Sequence, residues 1–318
     1  MYTIGIDLGG TNIAGGVVDD KMNIVVKDSV PTKLPRSAEA IIDDMATLAL
    51  SLVKKASISM SEIKWVGIGT PGTANSDTGI IEYANNLHFE NVPMVSMMEK
   101  KLSKKVYIEN DANAAAFGEF KAGAAKDVNS AVAITLGTGI GGGIVIDGKI
   151  LHGFNFAGAE LGHTVIVKDG RECTCGRHGC WEAYSSATGL ANLTKESMLA
   201  HKDSVMWEIT KDSLDNVNGK TAFDAMRAGD AAGREVVDLY ISYLGCGLVN
   251  VINIFQPELL CIGGGICKEG DNLIKPLEEI IVKERYSRFS KNQTKLCVAK
   301  LGNDAGIIGA ALIGELYQ

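Results

Sequence analysis

The sequence lacks an excess of basic residues: 31 Lys and Arg stand against 38 Asp and Glu, a net charge of −7. That excludes a broad phosphate-binding surface for nucleic acid. An anionic ligand must then be held by backbone N–H groups, a metal ion or a few local cations. Also missing are a basic leader, an apolar leader core and a run long enough to span a bilayer; the chain is strand-like by Ile4. A cytoplasmic location without membrane contact is expected. No low-complexity linker divides the chain, and proline is scarce, at 6. Cysteines are few and odd in number, 7, with Cys173, Cys175 and Cys180 crowded together and the rest in apolar stretches. In a reducing compartment that cluster reads as a metal site and the others as small core residues.

What is present is ordinary globular composition, 46% hydrophobic over 318 residues, enough for two domains. The 37 glycines cluster after short apolar runs, where backbone turns tightly or approaches a ligand. Strands are expected at residues 3–8, 13–18, 24–30, 64–69, 106–109, 131–136, 144–146 and 259–262. Helical spacing marks 38–56, with Ser37 as N-cap, and 230–255. A further helix begins near Asn113, and Asn303 or Asp304 can cap a last helix over 305–316.

The two halves match. Ile6-Asp7-Leu8-Gly9-Gly10-Thr11 aligns with Ile134-Thr135-Leu136-Gly137-Thr138-Gly139, and each runs into a glycine-rich strand and a turn carrying Asp and Lys. One unit used twice would make two glycine hairpins. Gly137-x-Gly139-x-x-Gly142, with Glu160 downstream, fits the dinucleotide fingerprint in letters. The fingerprint needs a helix straight after its glycines, and here a strand follows. No Gly-Lys-Ser/Thr follows either turn. The remaining reading is a phosphate clamp of backbone N–H groups with the Thr11 and Thr138 hydroxyls, Asp7 facing the bridging Mg²⁺. A plain tight hairpin is the alternative.

His163, Cys173, Cys175 and Cys180 follow a His-x9-Cys-x-Cys-x4-Cys spacing, the donor set of a closed tetrahedral zinc site. Such a site has no open position, so the zinc is expected to be structural. His178 is a spare ligand expected to face water.

Cys173-x-Cys175-Gly176-x-x-Gly179-Cys180-x-Glu182 resembles the cysteine motif of the ROK proteins (repressors, open reading frames, kinases). Leu136-Gly137-Thr138-Gly139-Ile140-Gly141-Gly142-Gly143, Gly158-Ala159-Glu160-Leu161-Gly162-His163, Glu109-Asn110-Asp111 and Ile262-Gly263-Gly264-Gly265 are similar to other family segments, in the expected order. The likeness is greatest to the bacterial glucokinase branch. It implies an α/β fold like that of hexokinase and actin (ribonuclease H-like), with duplicated mixed five-stranded sheets closing over a cleft. It further implies a small domain of residues 1–118 plus 302–318, to which the last helix returns, and a larger one of 119–301. Related proteins are often dimers, so a homodimer is expected.

The resemblance also implies roles. Asp111 would be the general base, and Gly72, Asn86, Asn110, Glu160, His163 and Glu182 would hold sugar hydroxyls. Gly9, Gly10, Thr11, Asn12, Thr138 and Gly139 would hold the phosphates of ATP. Gly264 and Gly265 would admit the adenosine. Glucose phosphorylation is the expected activity. A kinase for fructose, mannose, allose or N-acetylmannosamine, a polyphosphate-dependent enzyme, and a sugar-responsive repressor are the alternatives. The repressor is disfavoured by the acidic charge and by the phosphate motif starting at Ile4.

Overall fold

A computed structural model describes residues 1–317. The chain clusters into two compact units: Met1–Ala133, Gly143–Ala159 and Ala299–Gln318 form the first; Ile134–Gly142 and Glu160–Val298 form the second.

The first unit opens as a meander: β1 (Tyr2–Leu8), β2 (Asn12–Val18) and β3 (Ile24–Pro31). Then come α1 (Ala38–Lys55), β4 (Ile63–Thr70), a three-stranded flap of β5 (Thr73–Asn75), β6 (Ile80–Ala84) and β7 (Phe89–Val92), then α2 (Met94–Leu102), β8 (Val106–Asn110) and α3 (Asp111–Ala122). The sheet runs β3-β2-β1-β4-β8. β1 pairs antiparallel with β2 and parallel with β4, and β4 pairs parallel with β8. α1 forms where expected: Ser37 caps it by accepting the Ala40 N–H. Its Ile41, Met45, Leu48 and Leu52 pack with Ile4, Ile6 and Ile68 into one buried cluster.

β9 (Ser130–Leu136), β10 (Ile140–Ile146) and β11 (Lys149–Ile150) start the second sheet, ordered β11-β10-β9-β12-β13. Its remaining strands come after α4 (Glu182–Ser185), α5 (Ala187–Ala200), α6 (Met206–Ile209), α7 (Thr221–Arg227) and α8 (Ala231–Phe255). They are β12 (Leu259–Gly263) and β13 (Lys295–Val298), parallel to each other, with α9 (Asp271–Glu284) between them. Both sheets order their strands third-second-first-fourth-fifth, the structural form of the repeat legible in the sequence.

α8 corrects one expectation. Among the described residues it is the one helix long and apolar enough to cross a membrane by length and composition, although 56% of its apolar window is buried. Val236, Tyr240, Leu244, Leu248 and Ile252 point into the core, which is how an apolar core helix is stabilised without lipid.

α10 (Ala305–Leu312) rejoins the first unit. It lies in a furrow made by glycines: a Cβ on Gly5 would sit 1.9 Å from Ile307 O, and one on Gly67 1.8 Å from Ala310 O. Backbone meets backbone there, and no larger residue fits. The fully buried Glu119 of α3 secures the approach by accepting N–H groups of Lys300 and Leu301 at 3.1 and 2.7 Å. Asp304 does not cap α10 with its side chain, as the sequence suggested; it pairs with Lys27 at 2.7 Å.

Candidate active site

In the first unit, β1 delivers Asp7 to the rim of the sheet and turns at once. The Gly9 N–H donates to Asn12 O at 2.9 Å, and the Thr32 hydroxyl braces the turn by donating to Gly9 O at 2.7 Å. Thr11 and Asn12 are exposed, and Gly10 lies against Asn86, which is also exposed. In the second unit the Gly137–Gly139 turn is built alike: Gly137 N–H donates to Gly139 O at 3.0 Å, and the Thr188 hydroxyl to Thr138 O at 2.8 Å. The glycines run directly into β10, so no helix N-terminus follows them. Gly264, at φ +117°, passes so close to β9 that a Cβ would stand 2.0 Å from Leu136 O; Gly265 next to it is open.

β8 ends on Asn110, and Asn110, not Asp111, is the N-cap of α3. Its Oδ1 accepts from the N–H groups of Ala112 (2.9 Å) and Asn113 (3.2 Å), satisfying two orphan donors. Its Nδ2 donates to Gly72 O at 3.2 Å. Gly72 is held at φ +86°, where a Cβ would strike Tyr83 O. Asp111 is the first helical residue, and one of its oxygens accepts from Ala112 N–H at 2.8 Å. Burial pushes the Asp111 carboxyl up, against that N–H bond. Burial also pushes Asp7 up to about 6, and the Asp111 charge adds to the effect. The first glycine turn and the start of α3 thus bring two carboxylates within reach of each other.

In the second unit the four candidate metal ligands converge: one donor atom from each of His163, Cys173, Cys175 and Cys180, all within 4.8 Å of one another. The Cys175 and Cys180 sulfurs are 3.6 Å apart, and Cys173 Sγ is 3.6 Å from His163 Nδ1. A tetrahedron with Zn–S bonds near 2.3 Å has edges of about 3.8 Å, so the donor set fits zinc in chemistry and in spacing. Nδ1 faces the thiols, which leaves Nε2 of His163 pointing elsewhere. Burial, then the neighbouring thiols, push Cys180 up to about 12; a bound cation would reverse that. His178 is exposed, as expected. Gly179 at φ +85° is unavoidable, since a Cβ would be 1.7 Å from Val167 O.

Glu182 opens α4 two residues after Cys180. Its Oε2 accepts the Ile140 N–H at 2.7 Å, and a Cβ on Gly139 would sit 2.3 Å from that oxygen. Gly139 therefore makes room for Glu182, a reason the sequence did not give. Trp181 beside it is fully buried against Gly247 of α8, where a Cβ would meet the ring at 2.0 Å. Glu160 is exposed, just before the short helical turn that carries His163. Sequence reasoning missed His152 and the role of Glu109: the two side chains pair at 3.0 Å, and nothing in the local sequence links them.

The sequence profile of the ROK family matches residues 3–315. The glucokinase of Halalkalibacterium halodurans is 37% identical over 309 residues, 97% of this chain and 93% of that protein. The xylose repressor of Caldicellulosiruptor bescii is 30% identical, covering 99% of this chain and 79% of that protein. Among solved structures, a Streptomyces griseus ROK glucokinase in complex with glucose and AMPPNP shares 32% identity at a TM-score of 0.81, covering 98% of each chain.

Proposed function

This chain belongs to the ROK family, and from that premise we propose that it is an ATP-dependent kinase that converts glucose to glucose 6-phosphate. The likeness to glucokinases over nearly the whole chain supports the reaction class. The observation that carries the reading is the proximity of two partly buried carboxylates, Asp7 beside the first glycine turn and Asp111 at the start of α3. A phosphoryl transfer needs one such group for a metal ion and one for a proton.

In this reading Asp111 accepts the proton of the attacking sugar hydroxyl. The Ala112 N–H bond and the N-terminal dipole of α3 favour its carboxylate form and oppose the larger effect of burial. Asn110, Gly72 and Asn86 from the first unit, and Glu160, His163 and Glu182 from the second, hold sugar hydroxyls. Carboxylates suit this role because each accepts from two hydroxyls. Backbone N–H groups of Gly9, Gly10, Asn12 and Gly139, with the Thr11 and Thr138 hydroxyls, hold the ATP phosphates, and Gly264 and Gly265 let the adenosine approach. Asp7 is the residue for Mg²⁺, which neutralises charge on the transferred phosphoryl when bound. His163, Cys173, Cys175 and Cys180 hold a structural zinc, which fixes the tautomer of His163 so that Nε2–H faces outward.

Functional lobes of residues 1–118 plus 302–318 and 119–301, a homodimer, and a cytoplasmic location without nucleic-acid partners complete the proposal. A coupled ADP-release assay with Mg-ATP across hexoses and N-acetylhexosamines tests it. Glucose should give the highest kcat/KM, and Asp111→Asn should lower kcat by at least about 10²-fold with the fold intact by circular dichroism. No ADP release with any sugar, together with sequence-dependent retention on DNA, would overturn it in favour of a regulator.

A further inference from the structure

We propose that His152 is a positioning residue: it holds the buried Glu109 carboxylate, which in turn fixes Asn110 and the first turn of α3. The inference rests on the roles given above to Asn110 and Asp111.

Glu109 is 2% exposed. Its Oε1 accepts the Asn110 N–H at 2.9 Å and an N–H of the Asn113 side chain at 3.0 Å. Its Oε2 faces His152 Nδ1 at 3.0 Å, and neither atom has another partner among the described residues. A carboxylate buried this deeply is costly without a counter-charge or a donor on each oxygen. His152 supplies what Oε2 lacks. The Glu109 contact raises the imidazole above its ordinary pKa against the opposing effect of burial, and Asp77 adds to the rise. Tyr317 also lies near both charges; burial pushes its phenol up, and Glu109 and Asp77 add to the rise. The contact thus favours a proton on Nδ1, aimed at Oε2.

The imidazole is held in place. His152 O accepts the Gly158 N–H at 2.8 Å, closing a small loop, and the Phe156 ring stands 6.0 Å from the imidazole. A Cβ on Gly153 would sit 3.0 Å from Gly158 Cα, and one on Gly158 2.8 Å from His152 O. The loop has no room to relax. Without His152, Glu109 must take up a proton or turn toward water. Either change weakens its hold on the Asn110 N–H and the Asn113 amide. Asn110 spends its Oδ1 on capping α3 and its Nδ2 on Gly72, so displacement of its backbone misplaces the whole turn.

The test uses the full-length, zinc-loaded enzyme with His152→Ala, His152→Gln and Glu109→Gln. His152→Ala should raise the KM for glucose by about 10-fold or more, as misplacement of a positioning turn does, with the KM for Mg-ATP unchanged. His152→Gln, whose amide can donate to Oε2, should recover most of the loss. In the Glu109→Gln background, His152→Ala should add little. The inference is overturned if both KM values stay level, if they rise together, or if Gln is no better than Ala. Should the alanine variant not fold, the comparison of wild type with His152→Gln and Glu109→Gln decides: nitrogen-15 NMR must show Nδ1 protonated in the wild type and a lower imidazole pKa in Glu109→Gln. If the wild type phosphorylates no sugar, the proposed function fails by itself. The positioning claim is then read from the amide resonances of Asn110 and Asn113, which must move in the His152 variants; unmoved resonances sink it.

Discussion

Asp7 and Asp111 each lose hydration, the Asp111 charge makes ionisation of Asp7 harder still, and Asp7 is pushed up to about 6 as a result. A carboxylate whose folded pKa lies above its unfolded one destabilises the native state once it is ionised. The missing stability appears as pH falls through the folded value toward the unfolded one near 4. Asp7→Asn should therefore raise Tm by a few degrees at pH 8 in the absence of nucleotide and metal, a gain of roughly 1–3 kcal/mol. The gain should vanish near pH 4 and activity should be lost. Calorimetry at the two pH values checks it; equal Tm at pH 8 would mean that the charge is solvated. The sequence showed both aspartates as candidates, but not that they face each other. Proximity across β1 and α3 depends on the parallel pairing of β1, β4 and β8, and no local motif encodes it.

At the scale of elements, one cysteine loop carries both the proposed zinc ligands and two of the proposed sugar ligands, His163 and Glu182. Four donors, His163 among them, lie within 4.8 Å of one another, and Cys180 lies two residues before Glu182. Cys175→Ala should lose the zinc by elemental analysis and raise sugar KM roughly 10–100-fold, with the KM for ATP little changed. Normal sugar affinity in a folded, zinc-free protein would separate the loop from the sugar. The convergence of the four donors was legible, because ligand spacing in a short segment is a local property. So were β1 to β4 and α1, whose alternation and cap are local too. The flap of β5, β6 and β7 was not. Its strands are 3, 5 and 4 residues long, too short for a period to stand out. Glu109 read as part of a motif, while its partner His152 lay 43 residues away in a loop.

For the whole molecule, the repeat foretold two glycine hairpins, while the two five-stranded sheets and the return of α10 came from the family likeness; the matching strand order was not foreseen. What neither conveyed is how completely the first unit depends on that return. Ile307, Ile308, Leu312 and Ile313 are all at most 5% exposed, and three of them share a buried cluster with Phe117 and Val145. At about 1.5–3 kcal/mol for each buried side chain, they contribute about 6–12 kcal/mol, comparable with the whole stability of a typical domain, about 5–15 kcal/mol. A chain ending at Val298 should fail to give a cooperative melt for the first unit and should be cleaved rapidly by trypsin within residues 1–133. A protease-resistant fragment from that region would show that the furrow closes by other means.

The furrow between Gly5 and Gly67 also sets a schedule for biosynthesis. Its occupant is translated long after the strands it covers, so the first strands to leave the ribosome cannot be completed until residues 305–312 have emerged. At about 5–20 residues per second, the 179 residues from Ala133 to Leu312 take about 10–40 s to add. During that interval a half-covered sheet rich in Ile and Val waits outside the ribosome, the stretch of the nascent chain most in need of a holding chaperone.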